Sequence, residues 1–196
     1  YKLDKQKKNT KAWDYVTDDP ALPRVILIRD SISRGYTVAA RQAIKGKANL
    51  HRAPANCGPT SAGLRKLDVW LGDGNWDLIH FNFGIHDQHS KPEEYGERLE
   101  TIVERLEKTG AKLVFASSTP LPEDSDKYRH GACATLNDVA AAIMARHQIP
   151  INDLYALMLP LLAEHQNPGD CHFKGEGYNV MGKRVAEKIL EELKTE

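Results

Sequence analysis

Four polar loops in this 196-residue sequence carry the residue types that a serine-dependent reaction needs. They are 29–36, 56–61, 83–87 and 169–173, and each comes at the end of an apolar run or just before an amphipathic segment. Together they offer Ser31, His172, several carboxylates and backbone N–H groups. A serine is a poor nucleophile unless a histidine accepts its proton, another group orients the histidine, and donors bind the developing oxyanion. All four roles have candidates here, although by position alone a serine such as Ser31 is more often a helix N-cap than a nucleophile.

The elements that must position these loops are short apolar strands alternating with amphipathic helices. Five strands are predicted, at 25–28, 48–50, 77–83, 112–116 and 149–151. The run 25–28 is continuously aliphatic, as in strands that are buried on both faces of a parallel sheet. Such alternation predicts an α/β protein, a three-layer α/β/α sandwich with a flavodoxin-like five-stranded parallel sheet in the order 2-1-3-4-5. Ligands bind at the carboxyl ends of the strands in such sheets, where the polar loops lie.

The predicted helices show apolar residues at helical spacing. The three apolar faces are Tyr95, Leu99, Ile102, Val103 and Leu106; Leu136, Val139, Ala140, Ile143 and Met144; and Met181, Val185, Ile189 and Leu193. Each set recurs with a period near 3.6, which is typical of a helix that covers one face of a sheet.

Composition and charge exclude several classes of protein. The sequence is 41% hydrophobic and 28% charged, as in a globular domain, and it contains no apolar run long enough to span a membrane. Lys and Arg total 27, as do Asp and Glu, so the net charge of zero argues against a nucleic-acid partner. The three cysteines are too few for a disulfide scaffold or a four-cysteine zinc site.

The chain is predicted to be one domain preceded by an arm. Residues 1–11 contain five lysines and one aspartate without apolar periodicity, which is typical of a solvated segment. We therefore expect an N-terminal arm over 1–20 and a single catalytic domain over 21–196. Because the chain begins at Tyr1 rather than Met, we expect that an upstream segment has been removed.

Over about residues 20 to 196 the sequence resembles the SGNH/GDSL hydrolase family. Arg29-Asp30-Ser31-Ile32 is similar to the first family block, Gly-Asp-Ser-Ile/Leu, and Gly58 to the glycine of the second block. Gly84-Ile85-His86-Asp87 resembles the third block, Gly-x-Asn-Asp, and the stretch ending at His172 resembles the fifth, Asp-x-x-His. The resemblance implies metal-free ester hydrolysis with no cofactor, acting on small-molecule or carbohydrate esters.

The resemblance also implies roles for individual residues. Ser31 becomes the nucleophile and His172 its base, while Ser31, Gly58 and His86 form the oxyanion hole. We expect the rate to rise with pH through an ordinary histidine pKa, about 6 to 7. Many enzymes of this kind act outside the cytoplasm, so a secreted or periplasmic location is favoured.

Three departures from the family pattern concern the site itself. Arg29 replaces the glycine of the first block, and its head could turn into the pocket or into solvent. His86 replaces the asparagine of the third block, where a neutral imidazole can still donate one N–H. Gly169 stands where the acid of the triad is expected, so we predict that Asp170 orients His172, with water, a carbonyl or another acid as the alternatives.

Arg29, Asp30 and Asp87 neighbour the site and are candidate substrate-binding residues, although either aspartate would also suit a helix cap.

Three other functions are compatible with the same residues. A metal-dependent hydrolase would use His86, Asp87 and His172, with His89 and Asp170 as further ligands. A flavodoxin-like binder of FMN or phosphate would use Ser31, Ser33 and Thr37 at the first helix. A degenerate family member would bind an acylated ligand without turnover, because of Arg29 and Gly169.

Overall fold

A five-stranded parallel sheet forms the centre of the computed structural model, which describes residues 11–194. The strands are β1 (Arg24–Ile28), β2 (Asn49–Arg52), β3 (Leu78–Phe81), β4 (Lys112–Ala116) and β5 (Ile151–Asn152). Their order is β2-β1-β3-β4-β5, with every neighbouring pair parallel. The predicted fold class and strand order are therefore confirmed.

Seven helices cover the two faces of the sheet in the described part of the chain. They are α1 (Ser31–Ile44), α2 (Thr60–Leu71), α3 (Pro92–Glu107), α4 (Ala132–Arg146), α5 (Leu154–Met158), α6 (Leu162–His165) and α7 (Gly175–Lys194). Helices α1 and α7 pack against each other on one face, and α2, α3 and α4 pack side by side on the other. These packing partners make the three-layer sandwich.

Strand β1 is apolar at successive positions because both of its faces are buried. Val25 and Leu27 belong to the core under α1 and α7, whereas Ile26 and Ile28 belong to the core under α2 and α3. Because successive side chains of a strand point to opposite faces, a strand covered on both sides must be apolar throughout. The predicted apolar face of α3 is likewise fully buried.

Two predicted strands are shorter than the apolar runs suggested. The run 77–83 forms a strand only over Leu78–Phe81, since Asn82 and Phe83 already belong to the loop that leads to the site. The last strand is Ile151–Asn152 rather than 149–151. Pro150 has no N–H to donate to a ladder, and its carbonyl accepts the first bond of this pairing, from Phe115.

The described part of the predicted arm contacts the domain. Residues 1–10 lie outside the described residues. Lys11–Trp13 form one 3₁₀ turn in which Ala12 is buried, and the Trp13 ring lies 4.3 Å from the Arg52 guanidinium. Asp18 accepts a hydrogen bond from Arg24 of β1 at 2.7 Å. Residues 11–20 thus contact β1 and β2, and the domain boundary after residue 20 stays a prediction.

Helices long and apolar enough to cross a bilayer are absent from residues 11–194. Cys57, Cys133 and Cys171 are all buried, and no disulfide joins them.

Candidate active site

Ser31 is the first residue of α1, directly after the carboxyl end of β1. The N-cap is Asp30, whose carboxylate accepts the Ile32 N–H at 2.9 Å and whose carbonyl accepts the Ser33 hydroxyl at 2.7 Å. A short acid is a favoured cap because it satisfies a free N–H of the first turn. The capping role therefore belongs to Asp30, and the Ser31 hydroxyl is free for other contacts.

The structure brings Ser31, His172 and Asp170 together in one hydrogen-bonded chain. Ser31 Oγ lies 2.8 Å from His172 Nε2, and His172 Nδ1 lies 2.9 Å from Asp170 Oδ1. Because a carboxylate only accepts, Nδ1 donates to Asp170, which leaves Nε2 of the neutral imidazole to accept the Ser31 proton. The two-residue spacing between Asp170 and His172 therefore allows the contact that the sequence predicted.

A hairpin-like loop before α7 presents this acid and base. Gln166 pairs with Phe173 in an antiparallel bridge, and the Asn167 N–H donates to the His172 carbonyl at 2.9 Å. Tyr128, on the loop between β4 and α4, donates its hydroxyl proton to Asp170 Oδ1 at 2.8 Å. Sequence reasoning missed Tyr128, because no local pattern links it to a residue 42 positions away.

The contacts around His172 make it a stronger base than an ordinary histidine. The Cys171 thiol, 3.6 Å from Nδ1, and then the Asp170 carboxylate outweigh desolvation and raise the pKa of His172 to about 9. Partial burial acts to raise the pKa of Asp170, but hydrogen bonds from His172 and Tyr128 hold it well below its usual range. Asp170 is thus ionised, and the His172 pKa is higher than the sequence predicted.

Gly58 lies in the loop after β2, beside the nucleophile loop. The Cys57 N–H donates to the Arg29 carbonyl at 3.1 Å, which continues the pairing of β1 and β2 past their ends. Gly58 itself has φ +69°, a left-handed conformation that side chains other than glycine rarely adopt. The turn needs a glycine here, and it carries the Gly58 N–H on a loop that is tied to residue 29.

Arg52, at the end of β2, ties these two loops together, and sequence reasoning missed it. Its guanidinium donates to the Asp30 carbonyl at 2.9 Å and to the Ser33 hydroxyl at 3.1 Å. It also donates to the carbonyls of Ala53 and Ala55 and to the Asn56 side chain. The sequence did contain a signal for Arg52, because a basic residue at the end of a buried strand, beside the predicted site, is unusual.

His86 and Asp87 follow β3 in a 3₁₀ turn, Ile85–Asp87, and they point in different directions. His86 is exposed, whereas Asp87 is buried. The Asp87 carboxylate accepts the Thr60 N–H at 2.9 Å and the Thr60 hydroxyl at 2.6 Å, and Arg98 lies 3.6 Å away. Burial raises the pKa of Asp87, while the Thr60 and Arg98 contacts act against that rise. Asp87 therefore links the turn of His86 to the start of α2, two residues after Gly58.

The burial of Arg29, Asp30 and Asp87 argues against the predicted contacts with substrate. Asp30 caps α1 and Asp87 holds α2, so both carboxylates are already occupied by protein donors. Arg29 turns neither into a pocket nor into solvent, because the residue is 1% exposed and its guanidinium donates to the Tyr36 hydroxyl inside the core. Each of the three side chains is thus occupied by a protein partner.

The geometry also separates the residues that the alternative functions require. In the described chain, the ligand atoms of Asp170, Cys171 and His172 lie within 4.8 Å of one another, but those of His86 and Asp87 do not join them. Asp87 is instead committed to Thr60. The metal set predicted from the sequence is therefore not assembled.

A phosphate site at the start of α1 is not formed either. The Ser33 hydroxyl donates to the Asp30 carbonyl, and the buried Thr37 hydroxyl donates to the Ser33 carbonyl at 2.6 Å. An aspartate at the N-cap places negative charge where a phosphate would bind. Neither hydroxyl is left to hold a flavin phosphate.

Comparison with known families identifies a relationship over most of the chain. The model of the GDSL-like lipase/acylhydrolase family matches residues 30–180, a range that begins at Asp30 and contains Ser31 and His172. No curated protein sequence matches the chain significantly.

Solved structures share the fold at low sequence identity. A lipase/acylhydrolase from Enterococcus faecalis superposes with a TM-score of 0.77 at 22% identity, covering 89% of this chain and 98% of that one. The native aryl esterase of M. smegmatis gives 0.74 at 13% identity, covering 86% and 99%. The acetyl xylan esterase AlAXEase gives 0.71 at 14% identity, covering 85% and 99%. At these identities the structural likeness establishes the fold.

Proposed function

The chain belongs to the GDSL-like lipase/acylhydrolase family, and from that premise we propose that it is a serine esterase whose nucleophile is Ser31. The observation that carries the proposal is the chain of contacts from Ser31 Oγ through His172 to Asp170, at 2.8 and 2.9 Å. Both distances are those of good hydrogen bonds. A hydroxyl paired with a basic, half-buried imidazole is an activated nucleophile.

The reaction proceeds through an acyl-enzyme. Ser31 Oγ attacks the ester carbonyl carbon while its proton passes to His172 Nε2, and Asp170 stabilises the imidazolium that results. The tetrahedral intermediate collapses, and its alcohol leaves with the proton from His172. Water, deprotonated by His172, then attacks the acyl carbon, and the carboxylic acid is released as Ser31 recovers its proton.

Three donors are proposed for the oxyanion. The Ser31 N–H lies at the positive end of α1, and the Gly58 N–H lies on the adjacent loop that is tied to residue 29. His86 is the third donor, through an imidazole N–H at the exposed surface of its turn. Arg52 and Asp87 hold the loops of these donors in register.

The proposed substrates are carboxylic esters with an acyl or acetyl group, including acetyl esters of carbohydrates. The fold is shared with an acetyl xylan esterase and an aryl esterase. This likeness supports testing esters of carbohydrate hydroxyls and aryl esters as substrates. Neither a metal ion nor a cofactor has a step in this mechanism.

A fluorophosphonate probe followed by peptide mapping tests the proposal. We expect the peptide containing Ser31 to be modified, and Ser31→Ala to lose both the modification and hydrolysis of p-nitrophenyl acetate. Wild-type activity should persist after chelator treatment. If the folded Ser31→Ala variant kept more than about a tenth of the rate, the serine mechanism would be wrong, because oxyanion donors alone supply far less. Absence of labelling and turnover in the wild type would favour a binding protein without catalysis.

A further inference from the structure

Tyr128 contacts the acid of the site and the backbone beside it. Its hydroxyl donates to Asp170 Oδ1 at 2.8 Å, the same oxygen that accepts the His172 Nδ1 proton at 2.9 Å. The hydroxyl also accepts the Cys171 N–H at 3.1 Å. Tyr128 is only 8% exposed, so its ring is held by the core while its hydroxyl reaches the loop. One buried group thus binds both the carboxylate and the residue between acid and base.

We infer that Tyr128 is a positioning residue for the proposed esterase reaction, which it serves by fixing the Asp170 carboxylate toward His172. The inference rests on the proposed function. Asp170 needs such support because its side chain is 39% exposed at the tip of the loop. An exposed carboxylate with a single partner can rotate and bind water instead. A second donor from a buried ring removes that freedom before the reaction begins.

The protonation states around Tyr128 are consistent with this role. Burial raises the pKa of Tyr128, so its hydroxyl keeps the proton that it donates. Asp170 is ionised, so the contact is a hydrogen bond to a charged acceptor, which is stronger than one between neutral groups. Lys127 Nζ also lies 4.0 Å from Asp170, but it is largely exposed and a surface ion pair of that length contributes little.

Tyr178 provides a matched control on the other side of His172. Its hydroxyl accepts the Phe173 N–H at 3.3 Å, and its ring lies flat against α1 at Gly35, where an added Cβ would come within 2.1 Å of the ring. Both tyrosines therefore hold the backbone next to His172. Of the two, Tyr128 has a hydrogen bond to the Asp170 carboxylate. Comparing the two tyrosines therefore separates the effect of holding the loop backbone from the effect of holding that carboxylate.

The test is a double-mutant cycle on hydrolysis of p-nitrophenyl acetate, with Tyr128→Phe made in the wild type and in Asp170→Ala. In the wild type we expect kcat to fall about tenfold, the effect of losing one hydrogen bond to a charged group, with KM changed less than about twofold. In Asp170→Ala the same substitution should change kcat less than about twofold, since its target is gone. Tyr178→Phe should change kcat by the same factor in both backgrounds.

Two kinetic results would overturn the inference. One is a Tyr128→Phe variant with wild-type kcat. The other is an equal loss in both backgrounds, which would mean that the hydroxyl acts only through the Cys171 N–H.

A readout that does not need turnover separates this inference from the proposed function. The His172 Nδ1 proton, identified by its absence in His172→Gln, should give a low-field ¹H NMR signal. Tyr128→Phe should move that signal, whereas Tyr155→Phe, which removes a hydroxyl from α5, should not. An unmoved signal in Tyr128→Phe would refute the inference even if Ser31→Ala had already disproved the esterase.

Discussion

The two sides of the candidate site are held in place by different kinds of contact. On the nucleophile side, the loops of Ser31, Gly58 and His86 are joined by Arg52 and Asp87, which are 8% and 1% exposed. On the acid–base side, the side chains of His172 and Asp170 are 30% and 39% exposed. They are held by hydrogen bonds to each other and to Tyr128 rather than by burial.

This difference corresponds to what each side must do in the proposed reaction. Backbone donors work only if they do not move, and a buried, fully hydrogen-bonded network provides that rigidity. A base must gain and lose a proton, which requires some solvent contact and a tuned pKa. Loss of Arg52 or Asp87, which hold the first side, should therefore appear as lost stability, whereas loss of His172 or Asp170 should appear as lost activity in a folded protein.

Removal of the base should have the largest effect. We expect His172→Ala to lower kcat by about 10⁶, because nucleophile and base act as a unit. The free energy of unfolding should change by less than about 1 kcal/mol, since the side chain is partly exposed. Steady-state kinetics and urea denaturation measure the two quantities. A variant that unfolds would contradict the view that this side is held independently of the core.

Arg52 should matter mainly to stability. Arg52→Met keeps the length of the side chain but leaves the carbonyls of Asp30, Ala53 and Ala55 without this donor. The Asp30 carbonyl still accepts the Ser33 hydroxyl, so two carbonyls lose their N–H donor. At about 1 to 3 kcal/mol for each unsatisfied acceptor, we expect a loss of about 2 to 6 kcal/mol in the free energy of unfolding. Denaturant titration checks this. A loss below about 1 kcal/mol would mean that the network does not hold the nucleophile side.

The pH dependence tests the tuning of the acid–base side. His172 must be neutral to accept the Ser31 proton, so kcat/KM should rise with pH to a midpoint near its pKa of about 9. Cys171→Ala removes the largest contribution to the raised pKa and should move the midpoint down toward the ordinary 6.5, with the plateau at high pH retained. A midpoint that does not move would assign the rise to Asp170 alone.

Arg29 should have the smallest effect and serves as the control for Arg52. Its guanidinium is buried with Tyr36 as its hydrogen-bonded partner, and its Nε has none. Replacing a poorly satisfied buried charge by an apolar side chain of similar length is often neutral or stabilising. We expect Arg29→Met to keep kcat within about twofold and to lose no stability. A large loss in either would show that Arg29 supports the site.

Much of this protein could be predicted from its sequence alone. The apolar runs and helical periods are local patterns, so they predicted the sheet and the apolar face of α3. The strand order was predicted from the order that is usual for a doubly wound sheet of five strands. The polar loops predicted the edge of the sheet where the site lies, because parallel strands end at the same edge. The family resemblance then singled out Ser31 and His172 as the pair that meets there. The short helices α5 and α6 were not predicted, since each is too short to show a period.

Only the tertiary structure decided which side chains face the site and what holds them. Arg29, Asp30 and Asp87 look like ligand-binding residues in the sequence, but burial and protein partners occupy them. Arg52 and Tyr128 look ordinary, and they acquire their roles from hydrogen bonds between loops that are distant in the chain. The raised pKa of His172 has the same origin. The residue type determines which group can gain or lose a proton. The pKa of that group depends on neighbours that folding brings within a few ångströms.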